Sequence, residues 1–233
     1  MDSKTSFQNY KSIIFSLHFI NSIIQCFCCV YEKKNIRIIS KMFIMPLIYL
    51  IYQILTEKKN RNTLINFGII LGWIGDIFML SNQNSPLIIG AIFSFLIGHL
   101  FYILAFMKLS SSTTYKKKFY LFLFIILFYS YVCYIQFHYY LIEGFKKRNV
   151  LPHGIIYLSV LGIINSISTF NLLTKFNFSN FLIFIGTILF WVSDFILVRL
   201  LFYESLFYYH LIVMSTYIIA QTSITIGMSL IET

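Results

Sequence analysis

The chain has 233 residues, of which 58% are hydrophobic and only 11% charged, and its mean hydropathy is +0.79. An ordinary soluble domain carries roughly 25% charge, so a water-dissolved globule is excluded, because this much apolar surface needs lipid around it. The net charge of +10 sits in short clusters between apolar runs, Lys33-Lys34, Lys58-Lys59, Lys116-Lys117-Lys118 and Lys146-Lys147-Arg148, a pattern that flanks membrane spans and meets anionic headgroups and that leaves no long water-facing basic surface for nucleic acid.

A bilayer-spanning helix takes about 20 apolar residues. Eight runs of that order follow one another, at about 11–30, 36–55, 64–80, 86–107, 119–141, 150–173, 178–201 and 208–230. They predict an all-α integral membrane protein, a bundle of eight transmembrane helices forming one polytopic domain over 1–233. Its loops are short enough to make consecutive helices antiparallel neighbours. The first run follows a polar MDSKTSFQNYK and has no small-x-small cleavage site, so it reads as a retained span. Cys26, Cys28, Cys29 and Cys133 all fall inside apolar runs and read as small buried hydrophobes, not as a disulfide framework or zinc knuckle.

Eight spans put both termini on one side. That side, with the second, fourth and sixth loops, holds ten Lys and Arg against eight on the other, which favours cytoplasmic termini. The expected location is a multi-pass position in a membrane, an internal one such as the endoplasmic reticulum if the source is eukaryotic. The 26 Phe and 17 Tyr are expected mostly to face lipid or to pack.

Of the eight acidic residues, Asp2, Glu32, Glu57, Glu143, Glu204 and Glu232 fall at termini, in loops or at a helix end, leaving Asp76 and Asp194 within spans. A carboxylate inside the bilayer costs several kcal/mol unless it is neutral, paired or facing a wet cavity, so it marks function by default. The alternative is a hydrogen-bonded clamp between helices. The flanking segments GIILGWIGDIFML from Gly68 and GTILFWVSDFILV from Gly186 overlay without gaps at an offset of 118 residues. Both Trp of the chain, Trp73 and Trp191, stand three residues before the Asp. The two spans are the third and seventh and so run in the same direction, which points to a parallel 4+4 pseudo-repeat. It also predicts the third and seventh helices as near-parallel neighbours with both Asp at similar depth, lining one cavity toward the side opposite the termini. Two carboxyls facing each other in a low dielectric cannot both ionise cheaply. An acid beside a base is what cleavage of an acid-labile ether needs.

Further polar groups inside spans extend the cluster: His99 with Tyr102 one turn on, Tyr217 with Gln221 one turn on, and Lys41 opening the second helix on the same side as the two Asp. The five His, at 18, 99, 138, 153 and 210, show no HxxxH or HxxE spacing, so no metal site is expected. A zinc site built from His99, Asp76 and Asp194 is the geometric alternative. There is no Gly-rich phosphate loop, GxSxG elbow or SxxK.

At SKMFIMPL (Ser40 to Leu47), LGWIGDIFML (Leu71 to Leu80), GAIFSFLIGHLFYILAF (Gly90 to Phe106), GTILFWVSDFILV (Gly186 to Val198) and TYIIAQ (Thr216 to Gln221) the chain resembles the lysoplasmalogenase family of eight-span, YhhN-like membrane proteins. It departs from the family pattern at Met42, where Pro usually follows the Lys, and in its segment LPHGIIYLSVLGIINSIS, which matches only loosely, through Pro152 and Tyr157. The resemblance implies hydrolysis of the sn-1 vinyl ether of a lysoplasmalogen to a fatty aldehyde and a glycerophospho-base, without a cofactor. Its substrate would be a lysophospholipid drawn from the surrounding membrane lipids. Asp76 and Asp194 would then be the acid and the stabilising base, with the assignment between them open. His99, Tyr102, Tyr217 and Gln221 would orient water and hold the carboxylates, and Lys41 or another basic group at the cavity mouth would take the phosphate. The competing readings are a proton-coupled membrane transporter, for which two intramembrane Asp and a His are also a parts list, and a catalytically silent lipid-binding protein. Headgroup preference and oligomeric state stay open.

Overall fold

The computed structural model describes residues 3–31, 33–80, 85–147, 151–202 and 208–232. Asp2, Glu32, Arg148 and Glu204, placed above at termini or in loops, lie outside the described residues. Among the described residues there is no strand. The helices are α1 (Ser3–Val30), α2 (Lys34–Leu55), α3 (Thr63–Leu80), α4 (Ser85–Met107), α5 (Ser112–Lys117), α6 (Phe119–Ile135), α7 (Ile142–Lys147), α8 (Leu151–Thr174), α9 (Phe178–Phe202) and α10 (Tyr209–Glu232). Eight stretches are long and apolar enough to cross a membrane, and they coincide with the eight runs of the sequence. The fifth, Phe119–Lys146, runs further than expected because α6 continues through a π-helical segment, Gln136–Leu141, into α7.

Polar sequence ends the helices where water or headgroups begin. Glu57-Lys58-Lys59-Asn60 separates α2 from α3, and Asn62 Oδ1 accepts the Leu64 N–H at 3.0 Å to start α3. Asn177 Oδ1 does the same for the Asn180 N–H at 2.7 Å at the start of α9.

The packing order follows the pseudo-repeat. The closest pairs are α3 with α4 and α9 with α10, the third and fourth spans and their counterparts four spans on. α2 also rests on α3 as α8 rests on α9, and the halves join reciprocally, α4 on α8 and α10 on α2. At equivalent positions the pairs are tight for the same reason. A Cβ at Gly68 would stand 2.5 Å from the Tyr102 ring, and one at Gly186 would stand 2.8 Å from the Ala220 carbonyl oxygen. Small residues let transmembrane backbones approach where lipid offers no hydrophobic drive to press them together. α3 and α9 are not among the principal packing pairs of the described residues. The expectation of neighbouring helices is corrected, because each Asp helix spends its contact face on its own hairpin partner.

α8 is the inner helix. Of its span 61% is buried, against 11% of the fifth span, whose Tyr120, Phe124 and Tyr131 point outward. Its buried polar side chains hold the bundle together from inside. Asn171 Nδ2 donates to the Phe106 carbonyl at 2.9 Å, Ser110 Oγ to Asn171 Oδ1 at 2.7 Å, and Ser168 and Thr187 share a hydroxyl hydrogen bond at 2.7 Å. Without water, such groups must find partners in the protein.

Candidate active site

The two intramembrane carboxylates share one cavity. It holds about 790 Å³ at the end of the bundle where α1, α3 and α9 finish and α2 and α10 begin, the end opposite the chain termini. α3 presents Asp76 to it and α9 presents Asp194, so the two helices meet at this cavity. Both Asp are buried, at 2% and 8% exposure, and they lie close enough to interact electrostatically.

Each Asp helix is anchored one turn before its carboxylate. Pro46 has no N–H, so the Met42 carbonyl of α2 loses its helical donor, and the Trp73 indole N–H fills that place at 3.0 Å. That bond ties α3 to α2 beside Lys41. Trp191 donates to Gln136 Oε1 at 2.7 Å, in the π-helical segment of the fifth span. Such a segment inserts one residue per turn and re-aims its side chains.

The partners of the two Asp differ. Asp76 Oδ1 lies 3.3 Å from Lys41 Nζ, and its Oδ2 accepts the Tyr217 hydroxyl at 2.6 Å. Asp194 makes no ion pair among the described residues; its Oδ2 accepts a hydrogen bond from the Tyr157 hydroxyl. Tyr157 also stands 3.4 Å from His99 Nε2, and the His99 ring meets Phe190 edge-on. His99 Nδ1 is buried with no hydrogen-bond partner among the described residues. His99 and Tyr217 are themselves 118 residues apart, the offset of the two Asp. Each half of the chain thus sends one polar ring toward the other half's carboxylate, Tyr217 directly and His99 through Tyr157.

Of the residues singled out in the sequence, Asp76, Asp194, Lys41 and Tyr217 line the cavity. Tyr102 and Gln221 do not. The Tyr102 hydroxyl donates to Gln221 Oε1 at 3.1 Å while its ring fills the space over Gly68, so this pair joins α4 to α10 beneath the cavity. Lys41 is engaged by Asp76 instead of standing free at the mouth. Tyr157 was not among the expected site residues, although its place in LPHGIIYLSV, one and a half turns after Pro152, was visible in the sequence.

A second, almost wholly apolar pocket of about 50 Å³ opens between α4, α8 and α9 and shares Met79, Phe95, Asp194 and Leu197 with the first; Tyr157 lines it too. Asp194 stands at the junction, with the larger cavity on one side and the apolar pocket on the other. Among the described residues no group of three His, Cys, Asp or Glu is arranged to hold a metal ion.

These features define a multi-pass α-helical membrane protein with a buried two-carboxylate site reached from one end of its bundle. The chain belongs to the YhhN family, the family to which lysoplasmalogenases belong: the family model matches residues 36–228, which contain both Asp, Lys41, Tyr157 and Tyr217. No curated protein and no solved structure matches the chain.

Proposed function

We propose that this protein hydrolyses the sn-1 vinyl ether of lysoplasmalogens, releasing a fatty aldehyde and a glycerophospho-base. The observation that carries this reading is the pair of unlike carboxylates in one cavity, with Asp194 also bordering an apolar pocket, in a member of this family. A vinyl ether is cleaved by protonating its β-carbon, which leaves an oxocarbenium ion for water to capture, close to glycosidase chemistry. Asp76, compensated by Lys41 and Tyr217, serves as the anion. Asp194, which has a hydroxyl partner but no cation partner among the described residues, serves as the acid. Its proton goes to the β-carbon. Water then adds to the α-carbon, giving up a proton to Asp76, and the resulting hemiacetal collapses. Asp76 returns that proton to the departing glycerol oxygen, and the hemiacetal hydroxyl reprotonates Asp194, so the enzyme ends as it began.

The test is aldehyde release by the purified protein in detergent, with lysoplasmalogen set beside alkyl-lyso and acyl-lyso analogues of equal chain length. An alkyl ether offers no alkene carbon to protonate, and an ester calls for an acyl nucleophile or an oxyanion hole. The expected outcome is turnover of the vinyl ether alone, with both analogues competing, unchanged by chelators. Asp76→Asn and Asp194→Asn should each lower the rate roughly 10²- to 10⁴-fold. Retention of more than about half the activity in either variant, or fatty-acid release from the acyl analogue at a comparable rate, would refute the mechanism. Binding without aldehyde release would leave a lipid-binding protein.

A further inference from the structure

Lys34, Arg37 and Lys41 stand at i, i+3 and i+7 on one face of α2, and all three line the cavity. Only Lys41, the innermost, makes an ion pair among the described residues; Lys34 and Arg37 make none. On the adjoining helix α1, Gln25 is 1% exposed. Its Oε1 accepts the Ser40 hydroxyl, which orients the amide, while its Nε2 is buried with no hydrogen-bond partner among the described residues. An unmet buried donor costs about 1–3 kcal/mol, so the amide is poised for an acceptor that arrives from the cavity. Two cations and one amide, donors all, stand together with no anion paired to them among the described residues. Along α2, Arg37 lies one helical turn and Lys34 two turns outward from Lys41.

We propose that Gln25, Lys34 and Arg37 form a phosphate-binding subsite that receives the headgroup phosphate of a lysophospholipid. The inference rests on the hydrolase reading for the identity of the lipid. It moves the phosphate contact from Lys41, which Asp76 occupies, to the next two turns of α2 and to α1. Seated there, the phosphate holds the lipid with its glycerol directed inward to the two carboxylates and its chain toward the apolar pocket beside Asp194. Arg37 supplies a planar fork suited to two phosphate oxygens, Lys34 a point charge nearer the rim, and Gln25 a neutral donor from the adjoining helix α1. Gln25 and Lys34 precede residue 36, where the family match begins, and Arg37 lies within it.

The experiment measures binding to the full chain in detergent, with two ligands that carry the same alkyl chain: a non-hydrolysable alkyl-lysophospholipid and the corresponding alkylglycerol, which lacks the phosphate. Wild-type protein should prefer the phospholipid by about tenfold or more, the order expected of hydrogen bonds to a charged group. Arg37→Gln should reduce that preference to about two- to threefold while leaving alkylglycerol binding as it was, which also shows that the variant is folded. Gln25→Leu and Lys34→Gln should each lose part of it. Equal affinity of wild type for the two ligands, or a preference unmoved by Arg37→Gln and Gln25→Leu together, would overturn the subsite. Inorganic phosphate alone, if it stabilised the protein against heat as much as the phospholipid does, would show a site for free phosphate and overturn the lipid assignment. Because neither ligand is cleaved, failure of the hydrolase reading shows separately, as absent aldehyde release with phosphate discrimination intact. Lost discrimination with hydrolysis preserved defeats this inference alone.

Discussion

Lys41 and Asp76 illustrate what an ionisable residue needs inside a membrane. Their side chains are 17% and 3% exposed and 3.3 Å apart, and a pair so placed is sustained by mutual compensation more than it adds stability. Lys41→Met should therefore lower stability by about 3–5 kcal/mol, the usual cost of orphaning one buried charge. The double variant Lys41→Met/Asp76→Leu should recover most of the loss while remaining inactive. Thermal unfolding in detergent checks this; a single variant as stable as wild type would mean that Asp76 is not held as an anion. Asp194 depends instead on a hydroxyl. Tyr157→Phe keeps the ring that packs beside His99 but removes the donor to Asp194, so the catalytic rate should fall about 10-fold or more with little change in KM, as for an interaction used in the transition state. A change confined to KM would make Tyr157 a wall of the pocket and nothing else.

The helices that carry the two Asp are positioned by a repeated device. A Trp one turn before the carboxylate fastens the helix to a neighbour, and a glycine two turns before the Asp lets the hairpin partner approach. The fastenings diverge in detail, since Trp73 meets a carbonyl released by Pro46 while Trp191 meets a side chain of the π-helical segment. The glycines carry a direct test. A methyl group at Gly186 would press on the backbone of α10, 2.8 Å from the Ala220 oxygen and 3.0 Å from the Ile224 nitrogen, whereas one at Gly90 would find its nearest neighbour, the Phe78 ring, at 3.5 Å. Gly186→Ala should cost about 1–3 kcal/mol by overpacking, and Gly90→Ala should stay within about 0.5 kcal/mol of wild type. Unfolding midpoints of the two variants in one detergent make the comparison, and equal midpoints would refute the account of the α9–α10 contact.

The bundle gathers its chemistry at one end. An even number of spans returns the chain to the side from which it started, so the cavity opens on the face opposite both termini. Tags at the two ends should be reached by a membrane-impermeant reagent from the same side, while a cysteine placed at Lys34 should be labelled from the other. Labelling of both from one face would break the eight-span topology. Much of this was readable from the linear chain. The third and seventh runs each contain one Asp, and a charge in a 20-residue apolar stretch cannot be overlooked because lipid gives it no other use. The same logic explains why Tyr157, Gln136 and the polar row of α8 were missed as working residues. Tyr, Gln, Ser and Asn are tolerated in spans at modest cost, so their presence alone carries little information.

Hydropathy, the placement of the charged clusters and the gapless overlay around Asp76 and Asp194 determined the number of spans, their directions and the two carboxylates, since each follows from local composition acting against a fixed bilayer thickness. Pairing required three dimensions. Lys41 with Asp76 joins residues 35 apart in the chain, Tyr217 with Asp76 joins residues 141 apart, and nothing local distinguishes Tyr217, which reaches a carboxylate, from Tyr102, which binds Gln221. Which Asp receives a cation, that α3 and α9 present their Asp to one cavity without being a principal packing pair, and that the apolar pocket ends at Asp194 are settled by how the hairpins α3–α4 and α9–α10 close on α2 and α8. A side chain's partner is chosen by the helices packed around it, and that choice is written in the packing alone.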